Sequence, residues 1–288
     1  MNDDRLDFVA KSIASPTRRG ALLLGGIALC GLAGFLERSR AEPGPGDRKR
    51  TRQRKRKRER RRDRRRSGLG LYPDLEALLP ERLEFFRLGD GTNVLRFTST
   101  VWNSGEGPLE LQAPTSPQTG ESGQLYQNLY DAAVDGTRVS RRRVNGRISY
   151  HAAHNHFHFN DFASYQLLRR DAAGEYTPNS EGTKTSFCII DSVLVNGQID
   201  AQYRVCERTR QGLSPGRGDT YAFNLPEQWV EVGPEPLGDG AYALQITADP
   251  RNLLAEGGGE REQNNTATGY FTVTNGTIGP ISNVPLYE

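Results

Sequence analysis

Residues Asn93 to Val101 read NVLRFTSTV, a run that alternates apolar with polar side chains and is rich in β-branched residues. Alternation with a period of two puts one set of side chains on each face of a pleated strand, and β-branched residues pack well there. The turn-forming Asn103-Ser-Gly-Glu-Gly107 follows, and then a second short strand over Pro108 to Gln112. The same rhythm continues outward. Asp135-Gly136 and Asn145-Gly146 are hairpin signals on either side of a strand over Thr137 to Val144. Further strands are expected over Phe162 to Leu168, Thr185 to Val195, Ala241 to Ala248 and Thr268 to Thr274. No long stretch keeps a helical period, and no internal repeat is visible. Many short strands with frequent turns predict an all-β, antiparallel β-sandwich-like single domain with long loops, occupying residues 68 to 288.

The residues before that domain are of another kind. Ser15 to Ala41 reads SPTRRGALLLGGIALCGLAGFLERSRA: twin arginines at 18 and 19, an apolar run from Ala21 to Leu36, then small residues at Ser39 and Ala41 suited to cleavage. This predicts a twin-arginine-type export signal over 1 to 41 and a secreted or extracytoplasmic protein of bacterial or archaeal type. The apolar run is short for a transmembrane span, although a retained N-terminal anchor stays open. Residues 42 to 67 contain DRKRTRQRKRKRERRRDRRR, an arginine-rich arm that cannot bury apolar surface and is expected to be disordered. Anionic cell-envelope or lipid contact through this arm is the expected partner interaction, with a pro-segment that folds back on the domain as the alternative. Nucleic acid is not expected, because no aromatic platform accompanies the arginines and an exported chain rarely meets it.

The arm also masks the charge of the domain. Of the 38 basic and 35 acidic residues, 21 and 8 fall before Ser67, which leaves 17 against 27 beyond it. The formal charge of +3 therefore conceals an acidic domain, which draws cationic molecules toward it. Of the three cysteines, Cys30 lies in the export segment. Cys188 and Cys206 remain as one disulfide of an exported protein, with two buried free thiols as the alternative.

All four histidines fall in Tyr150 to Tyr165, YHAAHNHFHFNDFASY. Read as one strand, the segment places His154, His156 and His158 on one face, with Phe157 and Phe159 on the other. Three imidazoles over apolar residues make a metal site, and imidazole suits copper, zinc, iron and nickel. His151 has the opposite parity and is expected to support the site or to lie outside it.

The domain beyond Ser67 has 16 arginines and one lysine, Lys184, whereas the arm uses Lys49, Lys55 and Lys57. A lone lysine in a chain that otherwise uses arginine points to a need for a primary amine. Lysine can be deprotonated when desolvated, and arginine cannot.

These residues resemble the lysyl oxidase family, copper-dependent amine oxidases with a protein-derived quinone. The likeness runs from about Leu95 to Thr274. It is carried by His154, His156 and His158 followed by Phe162-Ala-Ser-Tyr165-Gln-Leu-Leu168, and by Lys184-Thr-Ser-Phe187-Cys188. Gln211-Gly-Leu-Ser-Pro-Gly216, Asp219-Thr220-Tyr221, Gln228-Trp229 and Asn264-Asn265 complete it. The resemblance implies a copper ion on the three histidines and a lysine tyrosylquinone formed by cross-linking Lys184 to Tyr221. It also implies oxidation of primary amines, peptidyl lysine among them, to aldehydes, with O2 consumed and hydrogen peroxide and ammonia released. A carboxylate is expected to remove the substrate's α-proton. Asp219 is preferred because it shares a strand face with Tyr221, and Asp161 is the alternative. The resemblance also implies the Cys188–Cys206 bridge, while the further bridges of animal members have no counterpart here. Two other readings compete: a secreted copper-binding β-sandwich without a quinone, and a zinc hydrolase using Asp161 as base. The hydrolase leaves Lys184 and the Asp-Thr-Tyr motif unexplained.

Overall fold

The computed structural model describes residues 70–113, 123–151, 156–182, 184, 186–207 and 209–286. The export segment (1 to 41), the arm (42 to 67), His154 and Thr185 lie outside the described residues. Numbering the strands in chain order, the first sheet holds β1 (Leu75–Ala77), β2 (Glu81–Arg87), β3 (Asn93–Asn103), β11 (Val193–Leu194), β13 (Arg217–Tyr221) and β14 (Trp229–Gly233). The second holds β4 (Leu109–Gln112), β5 (Gly123–Tyr130), β6 (Arg138–His151), β7 (His156–Asn160), β10 (Ser186–Phe187) and β12 (Arg210–Leu213). The third holds β8 (Ala163–Arg170), β9 (Tyr176–Glu181), β15 (Gly240–Ala248), β16 (Thr266–Thr274) and β17 (Thr277–Ile278). Every pairing between these strands is antiparallel, so the expected all-β fold is met. Among the described residues the only helical element is the 3-10 turn Gly259–Glu262, and no helix is long and apolar enough to cross a membrane.

The NVLRFTSTV run is the spine of the first sheet. Its N-terminal half pairs with β2 and β14, and its C-terminal half with β1 and β13. Leu95, Phe97 and Val101 are buried, as the alternation requires. They join one core with Phe159, Phe162, Tyr165, Phe187, Leu244 and Phe271, drawn from all three sheets. Burying such large side chains is worth about 1.5–3 kcal/mol each before conformational entropy is charged against it.

Two sequence expectations are corrected. Asn145-Gly146 is not a hairpin turn: β6 runs through it to His151, and its register against β5 shifts between Val144 and Ile148. The glycine is needed for a different reason. A Cβ at Gly146 would come within 2.6 Å of Cε2 of Phe159, so the pair marks close packing and a bulge. The Thr185 to Val195 run is also not one strand. Only Ser186–Phe187 and Val193–Leu194 pair, in different sheets, and the residues between them carry the chain from one sheet to the other. Asp135-Gly136 does lie in the β5–β6 turn, with Asp135 at a φ of 50°.

Candidate active site

β6 and β7 form the hairpin that collects the histidines. His151 at the end of β6 is the register partner of His156 at the start of β7. The His151 ring stacks on His158 with centroids 4.9 Å apart and planes 18° apart, and His156 lies 4.8 Å from His158. His151 therefore lies beside the cluster, which agrees with the supporting role expected of it rather than with a place outside the site. Parity holds within one strand, and the chain reverses between residues 151 and 156. His156 and His158 share one face as expected, with Phe157 and Phe159 buried behind them. His158 is itself 4% exposed, and its Nδ1 contacts Ser186 Oγ at 3.2 Å. A hydroxyl or carbonyl on one ring nitrogen is how metal-binding imidazoles are commonly oriented.

That serine contact follows from register. β10 pairs with β7 through Ser186↔Asn160 and Phe187↔Phe159, which sets the Ser186 hydroxyl beside His158. Lys184 is 5% exposed. Its Nζ lies 5.2 Å from the centre of the Tyr221 ring and 5.4 Å from that of Phe187, and it donates to the Pro226 carbonyl at 3.5 Å. Burial pulls the Lys184 ammonium below its ordinary pKa, against the opposing charges of Glu227 and Asp219. The shift is toward the neutral, nucleophilic form of the amine.

Tyr221 is carried by β13, whose register places it opposite Ser99 of β3 and places Asp219 opposite Val101. The Tyr221 hydroxyl donates to the Cys188 carbonyl at 2.8 Å, and its ring meets Phe187 edge-on at 4.8 Å. Burial, followed by the neighbouring Asp219 charge, raises its phenol well above the ordinary value. Asp219 is 3% exposed, and burial drives its carboxyl well above the ordinary range despite the Tyr221 hydroxyl and the Ile190 amide. Its Oδ2 has no hydrogen-bond partner among the described residues. A buried carboxyl with an unsatisfied oxygen, beside a buried amine and a phenol, is a marked departure from ordinary packing.

Asp161 is placed differently. It sits in the turn between β7 and β8, where Oδ2 accepts from Arg251 at 2.9 Å. The expected bridge is present, with Cys188 bonded to Cys206. A nitrogen of His156 and both sulfurs lie within 4.8 Å of one another, so Cys188 adjoins both halves of the site: its sulfur is near His156 and its carbonyl accepts from Tyr221.

Sequence reasoning did not assign roles to the groups behind Tyr221. Ser99 Oγ hydrogen-bonds to Tyr165 Oη at 2.8 Å and accepts from Gln228 Nε2 at 3.0 Å, forming a buried polar brace under β13. Tyr165 and Gln228 stood in the quoted motifs, but Ser99 carried no signal beyond its place in an alternating strand.

The fold and site together describe an antiparallel β protein with a histidine hairpin set against a buried Lys–Tyr–Asp group. The chain belongs to the lysyl oxidase family: the family model for lysyl oxidase matches residues 130–279, just over half of its length. It is 35% identical over 109 residues to human lysyl oxidase homolog 1, a stretch covering 37% of this chain and 18% of that protein. It is 34% identical over 110 residues to chicken protein-lysine 6-oxidase, covering 37% and 24%. With human lysyl oxidase homolog 2 the identity is 33% over 150 residues, covering 50% and 18%. The matched stretches thus take up about a fifth of the length of these relatives.

Proposed function

We propose that the protein is an exported, copper-dependent amine oxidase that converts primary amines, peptidyl lysine among them, to aldehydes. Each turnover takes up O2 and water and releases hydrogen peroxide and ammonia. His154, His156 and His158 would hold the copper ion, and Lys184 and Tyr221 would be joined as the quinone. The donor set fits: imidazoles suit copper, and the Ser186 contact orients His158 as a ligand needs. When bound, the copper supplies the redox chemistry with O2, and the mature quinone supplies an electrophilic carbonyl and an electron sink.

The remaining work falls to side chains of this chain. Burial keeps the Lys184 amine ready to lose its proton, and the Cys188 carbonyl and Phe187 edge hold the Tyr221 ring in place. Asp219 is the base assigned to the substrate's α-proton. Its raised pKa makes it a stronger proton acceptor than a solvated carboxylate, and its unsatisfied oxygen is able to take the proton. Asp161, the base that a zinc hydrolase would need, is engaged by Arg251, which weighs against that reading. The acidic charge balance beyond Ser67 suits a cationic amine substrate, and the arginine arm suits an anionic envelope surface.

The single observation that carries the proposal is the 5.2 Å approach of Lys184 Nζ to the Tyr221 ring. Peptide mass analysis of protein loaded with copper in air tests it. A covalently linked pair of Lys184 and Tyr221 peptides, with absorbance that reacts with phenylhydrazine, is the expected result. Two free peptides in copper-loaded protein would instead support a copper-binding sandwich without a quinone.

A further inference from the structure

We infer that, once the Cys188–Cys206 bond is reduced, His156, Cys188 and Cys206 form a second metal site, of the thiolate-rich class that takes Zn(II) or Cu(I). The ligand atoms are already gathered: one nitrogen of His156 and both sulfurs lie within 4.8 Å of one another, and the cysteine Cα atoms are 5.7 Å apart. A tetrahedral zinc site has Zn–S near about 2.3 Å and Zn–N near about 2.0–2.1 Å, which puts its ligand atoms about 3.5–3.8 Å apart. Opening the sulfurs and drawing in the imidazole by side-chain rotation meets that requirement.

The cysteines would stay in place without their bond, because the intervening loop is held by other contacts. Asp191 accepts from the backbone amides of Gln202, Tyr203 and Ser214, at 2.8, 3.1 and 2.7 Å, and its own amide donates to the Tyr203 carbonyl. On the other side, Phe187 pairs with Phe159, and Gln211 Oε1 accepts from the Ile189 amide at 3.1 Å. The buried Asp191 is therefore a second staple across the same loop as the disulfide, and it is indifferent to redox state.

Electrons and protons balance in both directions. A dithiol reductant gives two electrons and two protons to the S–S bond and becomes a disulfide itself, and the metal then displaces the two thiol protons. Reoxidation by an oxidised thiol–disulfide exchange partner removes two electrons from the thiolates, restores the S–S bond and expels the metal. Thiolate pairs favour Zn(II) and Cu(I), whereas the neighbouring imidazoles suit Cu(II). If the amine oxidase reading also holds, His156 is shared, so it serves the thiolate site or the histidine triad but not both at once. Disulfide formation then returns His156 to the triad. The twin-arginine segment gives this an order, since such signals export folded chains from a reducing compartment.

The test uses the full chain, reduced with a phosphine under argon and titrated with Co(II) as a probe for Zn(II). A thiolate-to-cobalt charge-transfer band, saturating at one equivalent and displaced by Zn(II), is expected in the reduced protein and not in the oxidised one. Cys188→Ser and Cys206→Ser should abolish the band, and His156→Gln should weaken cobalt binding at least tenfold. Near-ultraviolet circular dichroism follows tertiary structure throughout. No band in a reduced chain that keeps its native spectrum, or unfolding on reduction, overturns the inference. Neither readout depends on oxidase turnover, so failure here is distinct from failure of the amine oxidase proposal.

Discussion

The Lys184 amine, on a connecting segment, and the Tyr221 ring, on β13, lie 5.2 Å apart, and both adjoin the Phe187 ring. No other lysine exists beyond residue 67, so within the folded domain only Lys184 can supply a primary side-chain amine to that tyrosine. Lys184→Arg keeps the charge but cannot provide a neutral amine. Its expected outcome is a copper-binding protein with no cross-linked peptide and no phenylhydrazine-reactive absorbance.

Asp219→Asn removes the assigned base while preserving shape. Turnover of a soluble amine should fall by about 10²–10⁴-fold, with cross-link formation measured separately by mass. Stability should move the other way. The folded pKa of Asp219 is raised, so its contribution is whole below the ordinary value of 3.8 and is lost as pH rises through the folded value. The variant should therefore be the more stable protein at pH 8, and the gap should close toward pH 4 in thermal melts.

Glu110 behaves in the opposite sense. Burial would raise its carboxyl, but the Tyr130 hydroxyl, the Asn128 amide and Arg210 outweigh burial and hold it below its ordinary value of 4.5. Its stabilisation is present above that value and is lost as pH falls through the folded one. Glu110→Gln should cost about 2 kcal/mol at pH 7 by urea unfolding, and the cost should shrink at pH values below the ordinary one.

Gly146→Ala tests the bulge in β6. The added methyl meets the buried Phe159 ring at 2.6 Å, so about 1–3 kcal/mol should be lost through overpacking. A lower urea midpoint with an unchanged m-value is the expected result.

Deleting residues 42 to 67 should leave turnover of soluble amines unchanged and weaken binding to anionic vesicles in a salt-dependent way. Loss of turnover would show that the arm serves the catalytic chemistry.

Much of the fold was legible because strand alternation is a local signal. Leu95, Phe97 and Val101 face the core as their spacing requires, and the ladder of β15 with β16 covers two of the expected runs. The failures share a cause. Asn145-Gly146 has the composition of a turn, and only the Phe159 ring lying over Gly146 explains why the strand continues. Lys184 was found by counting residue types, since scarcity is visible without a structure. For His151 the sequence leaves two places open, supporting the site or outside it, because its companions lie on the partner strand and cross-strand register is not written in the spacing of one segment. Ser99 could not be found because its task depends on Tyr165 and Gln228, 66 and 129 residues away.

β13 lies between β3 and β11, hydrogen-bonded along both edges, whereas Lys184 belongs to no strand. Of the two groups that the proposed cross-link would join, one is bolted to the frame and the other sits at the end of a long side chain on a connecting segment. If that bond forms as proposed, the lysine is the partner expected to move, with the sheet that holds the tyrosine unchanged. Amide exchange in β13 should look the same before and after maturation, while the backbone around Lys184 should record the event.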